Sequence, residues 1–312
     1  MKQEELKSMR IGMLMGGHNA EHEVSMKTGS ALSAALRNRG YDVVDVVVDK
    51  NLPAELMRAG VQVAFVALHG RWGEDGCVQG LLEAMRIPYT GSGVLASALS
   101  MDKVVAKAMF RQHHLPLIED KVVTRADAKD MAADELPFSL PVVVKPSKEG
   151  SSVGIHIVHS SEAFGAAMKD AAQFAGDVLV ERYVKGREIQ VAILDDEALG
   201  AIEIKPVEDF YNYKAKYGAG AGTQYLFPAP LDEDQTTQVL DICLAAHRAL
   251  GCAGVSRVDT ILSDADNKYY LLEVNTIPGM TEASLVPKIA AGLGLSFEDL
   301  AERILMSAAL RA

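Results

Sequence analysis

Three short apolar runs near the start of the chain each stop at a glycine-rich loop, and this alternation constrains the fold more than any other feature. Arg10 to Met15 ends in Gly16-Gly17, Val61 to Leu68 in the loop His69 to Gly76, and Ile87 to Thr90 in Gly91-Ser-Gly93. Between them the apolar spacing turns helical. Val24, Thr28, Ala31, Leu32 and Ala35 recur every three or four positions, and Gly40 is placed to cap the end of that helix. Tyr41 to Val48 reads as a further strand, Pro53 to Ala59 as a short helix closed by Gly60, and Cys77 to Arg86 as another helix. Strands alternating with helices build a parallel sheet, whose ligands gather beyond the carboxyl ends of the strands. All three glycine loops fall at such ends.

From about Met101 the texture changes. A helix is expected from Asp102 to His113, then strands at Leu140 to Lys145, Ile155 to Val158 and Val178 to Tyr183, with a helix from Ser160 or Ser161 to about Gln173. This reads as a small α+β unit. Strands then follow at Glu188 to Leu194 and Leu199 to Ile204, a helix capped by Asp232, strands at Gly254 to Leu262 and Lys268 to Val274, and two last helices. The segment Lys205 to Pro230, with Gly218-Ala-Gly-Ala-Gly222, carries no regular pattern, and a loop of that length in a compact domain is a functional lid or a linker.

Length and charge narrow the function. A chain of 312 residues outgrows a single core, which stops growing near ~250–300 residues, so two or three domains are expected. A net charge of −11 argues against a general nucleic-acid binder, and an anionic ligand would need a local basic cluster. Met1 to Arg10 is polar and lacks the apolar core of a signal peptide, and no apolar run approaches the roughly 18 residues of a membrane span. Cys77, Cys243 and Cys252 form no CxxC pair, which suits reduced thiols in a cytosolic compartment.

Two constellations carry chemistry. Glu273 and Asn275 lie two apart on an expected strand, so they share a face. If Ser263 to Asn267 closes a hairpin with an even register, Arg257 and Asp259 join that face. Two carboxylates and an amide side by side suit a magnesium ion completed by phosphates and water. The competing reading is a solvated polar face. Against it, the acids sit in Tyr-Tyr-Leu-Leu-Glu-Val-Asn275, among apolar residues where an unpaired charge is costly. The second constellation is Lys145-Pro-Ser-Lys-Glu-Gly-Ser-Ser-Val-Gly154. Backbone N–H groups and hydroxyls in such a loop can cradle phosphate, with Lys145 for charge, although the loop could also be a flexible hairpin. It is not a P-loop. Lys103 could add a second cation or be an ordinary surface lysine. Gly91-Ser-Gly93-Val-Leu-Ala96 fits a loose dinucleotide pattern, but no acid-ended strand follows at the required distance, so a nicotinamide enzyme is a poor rival. His69 could orient a reactant or be structural, and Glu21 alone says little, since acids are common at helix starts.

Taken in order, these pieces resemble the ATP-grasp superfamily and, within it, the D-alanine–D-alanine ligases. The matching segments are Gly16-Gly17 with Ala20 to Ser25, Ala67-Leu-His-Gly70, Gly73-Glu-Asp-Gly76, Pro88 to Gly93, Ser100-Met-Asp-Lys103, Val144 to Gly154, Ala215-Lys-Tyr217, Arg257-Val-Asp259, Leu272 to Met280 and Ser284-Leu-Val-Pro287. The resemblance implies an α/β protein of three domains: an N-terminal parallel α/β unit at 1–101, a central α+β unit at 102–186 and a C-terminal α+β unit at 187–312. It implies phosphate contacts from Lys103, Lys145, Ser151, Ser152 and Lys216, and an adenine and ribose frame of Glu181, Tyr183, Val184 and Glu188. Asp259, Glu273 and Asn275 would hold two Mg or Mn ions. Glu21 would bind the first D-alanine's ammonium, His69 would help place the substrates, and Ser284 and Leu285 would take the second substrate's carboxylate. Arg257 and the Gly279 N–H would stabilise the tetrahedral oxyanion, while Ser151, Lys216 and Tyr217 would close over the site. Tyr217 goes with D-alanine as second substrate, relatives specific for D-lactate or D-serine differing in this loop. A cytoplasmic homodimer acting in peptidoglycan precursor synthesis is also implied.

Overall fold

The computed structural model describes residues 1–19, 21–48, 50–131, 135–150, 153–205, 223–281 and 283–311. The first layer runs α1 (Gln3–Lys7), β1 (Arg10–Gly16), α2 (His22–Asn38), β2 (Asp42–Val48), α3 (Leu52–Ala59), β3 (Val63–Val66), α4 (Cys77–Ala84) and α5 (Val94–Met101). The middle part holds α6 (Lys103–Gln112), β4 (Asp120–Val123), α7 (Arg125–Ala128), β5 (Val142–Pro146), β6 (His156–Val158), α8 (Ser161–Ala171) and β7 (Val178–Arg182). Then come β8 (Gly186–Leu194), β9 (Glu197–Lys205), β10 (Gln224–Leu226), α9 (Glu233–Ala249), β11 (Val255–Ser263), β12 (Tyr269–Asn275), α10 (Leu285–Gly292) and α11 (Phe297–Met306).

Three sheets follow one another along the chain. The first is parallel, in the order β2-β1-β3. β1 is buried along all but its first residue, as a central parallel strand covered by helices on both faces must be. The second, β4-β7-β5-β6, is antiparallel, as is the third, β10-β9-β8-β11-β12. One apolar core joins Met13, Met15, Leu32 and Leu36 of the first layer to Leu194 and Ile204 of the third sheet and to Ile289, Ile304 and Leu305 of α10 and α11. A second core packs Phe110 of α6 and Val239 and Cys243 of α9 on the opposite face of that sheet. The middle sheet has its own core around Val144, Phe164, Met168 and Val180.

Several elements differ from expectation. Ile87 to Thr90 is not an extended strand. Pro88 has no N–H to give, and Tyr89 makes only single bridges, to Ala64 and to Ala309. The helix expected from Asp102 is preceded by another, α5, and extended backbone at Asp102 separates them while its carboxylate caps α6 through the Val104 and Val105 N–H groups. β4 is an edge strand with only Val123 buried, too polar to announce itself. Within the irregular 205–230 segment, Gln224–Leu226 pairs antiparallel with β9; residues 206–222 lie outside the described ones.

Candidate active site

The hairpin β11–β12 brings the predicted acids together by an unexpected route. Near its turn the register pairs Leu262 with Tyr269 and Thr260 with Leu271. Carried on unchanged, it would set Asp259 opposite Leu272 and turn Glu273 toward the core. A bulge between Asp259 and Thr260 shifts the pairing by one residue, so Asp259 faces Glu273 and Arg257 faces Asn275. A one-residue slip exchanges the two faces of a strand, and here it moves Glu273 and Asn275 to the face of Arg257 and Asp259. Arg257 grips Asp259 with two bonds of 2.7 and 2.8 Å, and Asn275 Nδ2 lies 3.3 Å from the same carboxylate. Glu273 meets Lys103 Nζ at 3.1 Å.

Lys103 opens α6 and is almost fully buried; its ammonium also donates to Glu149 O at 2.7 Å, and its backbone N–H to Ser147 O at 2.9 Å. It therefore ties the phosphate-loop candidate to the acids of β12. Deeper in, Lys145 Nζ pairs with Glu181 Oε2 at 2.7 Å, while Lys107 Nζ pairs with Glu181 Oε1 at 2.5 Å and Asp120 at 2.9 Å. Burial drives the Lys145 ammonium below its usual range, Glu181 partly opposing. Burial alone would raise Glu181, but Lys145 and Lys107 outweigh it and hold the carboxyl below its usual range. The basic cluster that an acidic chain needs for an anionic ligand is thus present, with its charges paired internally.

The first layer supplies the other wall. Glu21 sits at the N-cap of α2, its N–H donating to Asn19 Oδ1 and its carbonyl accepting from Ser25. Its carboxylate lies across Gly70, where an added Cβ would come within 2.2 Å of Oε2; φ there is +67°, so glycine is required twice over. Gly150 of the phosphate-loop candidate approaches the same oxygen, an added Cβ lying 3.9 Å away. Gly70 N–H donates to Glu74 Oε2 at 2.8 Å, and burial, reinforced by the Glu21 charge, pushes the Glu74 carboxyl well up.

His69 is buried, with Nδ1 3.0 Å from Ile277 O and Nε2 3.1 Å from Thr28 Oγ1. A carbonyl only accepts, so Nδ1 carries the proton and donates, and Nε2 accepts from the threonine. Burial lowers this histidine to about 4, so it is neutral at ordinary pH. It fastens the loop after β3 to the loop after β12. On that second loop an added Cβ at Gly279 would stand 3.0 Å from Ser284 Oγ, and Ser284 accepts from the Thr281 N–H at 3.0 Å rather than capping α10. Leu285 is the first residue of α10.

Glu21, His69, Lys103, Lys145, Glu181, Arg257, Asp259, Glu273 and Asn275 are all hydrogen-bonded or ion-paired, most of them to neighbours in the same region. Tyr183 and Val184 follow β7, and Glu188 lies on β8, on the face of Gln190, the cross-strand partner of Asp259. Ser151, Ser152, Lys216 and Tyr217 lie outside the described residues. Sequence reasoning passed over two groups. Glu74 stands in the sequence only as part of a loop motif, Gly73-Glu-Asp-Gly76. Lys107 follows Lys103 by four positions on one helix face, a spacing that could have flagged a pair of inward lysines.

The donor set fits hard divalent ions: two carboxylates and an amide, and no thiolate or imidazole among them. Cationic Arg257 and Lys103 face the two acids, as metal charge would. No cluster of three or more His, Cys, Asp or Glu side chains forms a metal site among the described residues, so phosphate oxygens and water would have to complete such a shell.

Comparison with known proteins points one way. The family described as "D-ala D-ala ligase C-terminus" matches residues 109–306, and that described as "D-ala D-ala ligase N-terminus" matches residues 52–92. A D-alanine–D-alanine ligase of Anaeromyxobacter dehalogenans (strain 2CP-C) is 58% identical over 303 residues, 97% of this chain and 98% of that one. The enzyme of the same name from Geotalea uraniireducens (strain Rf4) is 54% identical, covering 100% of this chain and 99% of that one. The crystal structure of D-alanine–D-alanine ligase from Bacillus anthracis complexed with ATP is 33% identical and superposes with a TM-score of 0.84 over 96% of this chain and 97% of that one. With this sequence, this three-sheet ATP-grasp architecture and these matches across its whole length, the chain belongs to the D-alanine–D-alanine ligase family.

Proposed function

We propose that the protein joins two molecules of D-alanine to D-alanyl-D-alanine at the expense of ATP, for peptidoglycan precursor synthesis. The observation that carries this reading is the bulged pairing that sets Asp259 beside Glu273 and Arg257 beside Asn275, with Lys103 reaching across to Glu273. A carboxylate is a poor acylating agent and must be activated. The first D-alanine is held by its ammonium at Glu21, with Glu74 nearby, and its carboxylate oxygen attacks the γ-phosphorus of ATP. ADP leaves and an acylphosphate forms. Lys103 and Lys145 neutralise the phosphates, with Ser151, Ser152 and Lys216 assigned there by resemblance.

Asp259, Glu273 and Asn275 are the residues to hold Mg or Mn; a bound divalent ion neutralises charge on the transferring phosphoryl group. Glu181, Tyr183, Val184 and Glu188 frame the nucleoside. The second D-alanine, its amine deprotonated, attacks the acyl carbon. Arg257 and the Gly279 N–H face the oxyanion, phosphate departs and the peptide bond remains. Ser284 and the first turn of α10 receive the second carboxylate. N–H groups of a first turn lack intrahelical partners, which suits an anion. His69 acts through the loop it fastens. Tyr217 supports D-alanine over D-lactate or D-serine as second substrate.

No helix among the described residues is long and apolar enough to cross a membrane. We read the working form as a cytoplasmic homodimer of three-unit chains, with bounds at 1–101, 102–186 and 187–312. ADP release with ATP, Mg and D-alanine, against L-alanine, with the product weighed by mass spectrometry, is the test. D-alanine-dependent release of a D-alanyl-D-alanine mass is expected, and Glu273→Gln should lower kcat by about 10²-fold or more, the scale for losing one group that stabilises transition-state charge. A depsipeptide or D-alanyl-D-serine product from mixed substrates would overturn the second-substrate assignment.

A further inference from the structure

Lys107 is among the most deeply buried large side chains of the molecule, at 1% exposure, yet none of the roles above uses it. Its ammonium has three hydrogens and three acceptors: Glu181 Oε1 at 2.5 Å, Asp120 Oδ1 at 2.9 Å and Ile118 O at 3.0 Å. Glu181, at 2% exposure, is held symmetrically, one oxygen by Lys107 and the other by Lys145. The two lysines are not equivalent. Lys145 stands on β5 at the edge of the phosphate-loop candidate and is assigned above as a phosphate contact. Lys107 lies on α6 with its remaining hydrogens on a strand-edge acid and a carbonyl, so it has nowhere else to go.

When Lys145 is drawn toward a nucleotide phosphate, Lys107 alone remains to compensate a carboxylate buried in low dielectric. A buried carboxyl left without a cation takes up a proton and becomes a donor. The distinction matters for a nucleobase. An ionised carboxylate only accepts, and it has about four lone-pair directions, of which two lysines take two. It therefore favours an amino group over a carbonyl on the edge of the base.

We propose that Lys107 is a positioning residue which fixes Glu181 as an acceptor-only group at the nucleobase end of the site, and so sets the preference for a 6-amino over a 6-oxo purine triphosphate. The inference rests on the reading of Glu181 as part of the adenine frame.

Inosine triphosphate differs from ATP at that edge, so the ratio of kcat/KM for the two nucleotides is the readout, with kcat and KM separated. In Lys107→Met the KM for ATP should rise about tenfold and the ATP-to-ITP ratio should fall about tenfold, the worth of one hydrogen bond to a charged group, with kcat at saturating ATP within about threefold. Lys107→Arg keeps the charge and should restore the ratio. Asp120→Asn removes the other acid of the cluster but leaves Lys107 on Glu181; it should lower the melting temperature and leave the ratio unchanged. Should Lys107→Met not fold, Lys107→Gln, which removes the charge but keeps a donor toward Glu181, takes its place with the same expected fall in the ratio. A ratio that falls in Asp120→Asn, or one that stays fixed in Lys107→Met while kcat drops, reduces Lys107 to a structural ion pair and overturns the proposal. Failure of the wild-type protein to release ADP with D-alanine would instead overturn the ligase reading itself.

Discussion

At the scale of single residues, much of the chemistry rests on groups whose charge is set by their neighbours. His69 and His247 are buried, and burial lowers each to about 4, His247 resting its Nδ1 against Ser256 Oγ at 2.7 Å. The unfolded histidine takes its proton near pH ~6.5, the folded one only near 4. Between those limits the unfolded chain binds more protons, so stability falls as pH drops through that window and is complete above it. Urea unfolding from pH 7 down to 4.5 should therefore show stability declining, the two histidines contributing a slope of up to two protons and Glu74, whose carboxyl burial keeps protonated in the folded state, offsetting about one of them. His247→Gln should reduce that slope by about one proton, whatever it does to the stability at pH 7. An unaltered slope would mean that His247 titrates alike in both states. Gly70 offers a second check at this scale. Gly70→Ala forces a Cβ onto the Glu21 carboxylate in left-handed backbone, and the KM for D-alanine should rise more than that for ATP, because the clash lies on Glu21 and away from Lys145.

At the scale of elements, caps and registers explain what was legible in the chain. Asp232 was readable as the start of α9 because capping needs only residues three apart, and the complete capping box with Gln235 is present. Asp232→Ala should cost about 1 kcal/mol, measured as a drop in melting temperature with kcat unchanged. The shared face of Glu273 and Asn275 was readable from alternation alone. That Asp259 joins them was readable only as a condition on the register, and the bulge at Asp259/Thr260 that meets it has no local signature: no glycine marks it, and it is set by the apolar demands of Tyr269, Leu271 and Val274 on the core face. β4 went unread because it is a mostly exposed edge strand. Spacing could flag Lys107 only as a second inward lysine beside Lys103; what it does, like what Glu74 does, depends on partners far along the chain, Glu181 in one case and Glu21 in the other.

At the scale of the whole molecule, the first layer and the last helices are one body. Arg39 pairs with Asp299, Tyr41 donates to Glu302 at 2.7 Å, and the Met1 ammonium donates to Met306 O at 2.5 Å. Beneath these surface pairs, which contribute little each, lies the common core of α2, β1, α10 and α11. Leu305→Ala should cost about 2–5 kcal/mol, and because its core belongs to both ends of the chain, probes in either part should lose structure at the same temperature. Separate transitions would show that the two parts are independently stable.

The same shared core bears on how the protein is made. As the chain emerges from the ribosome, β1 and α2 come out first, but the residues that cover Met13, Met15, Leu32 and Leu36 arrive last, on α10 and α11. Until those helices are made, that apolar face lacks part of its cover, and His69 Nδ1 has no partner until the loop that carries Ile277 has emerged. A nascent chain in that condition is exposed to aggregation and to chaperones. A ribosome stalled just before Leu285 therefore holds a polypeptide that contains nearly every group named above and yet lacks the two helices that cover this face.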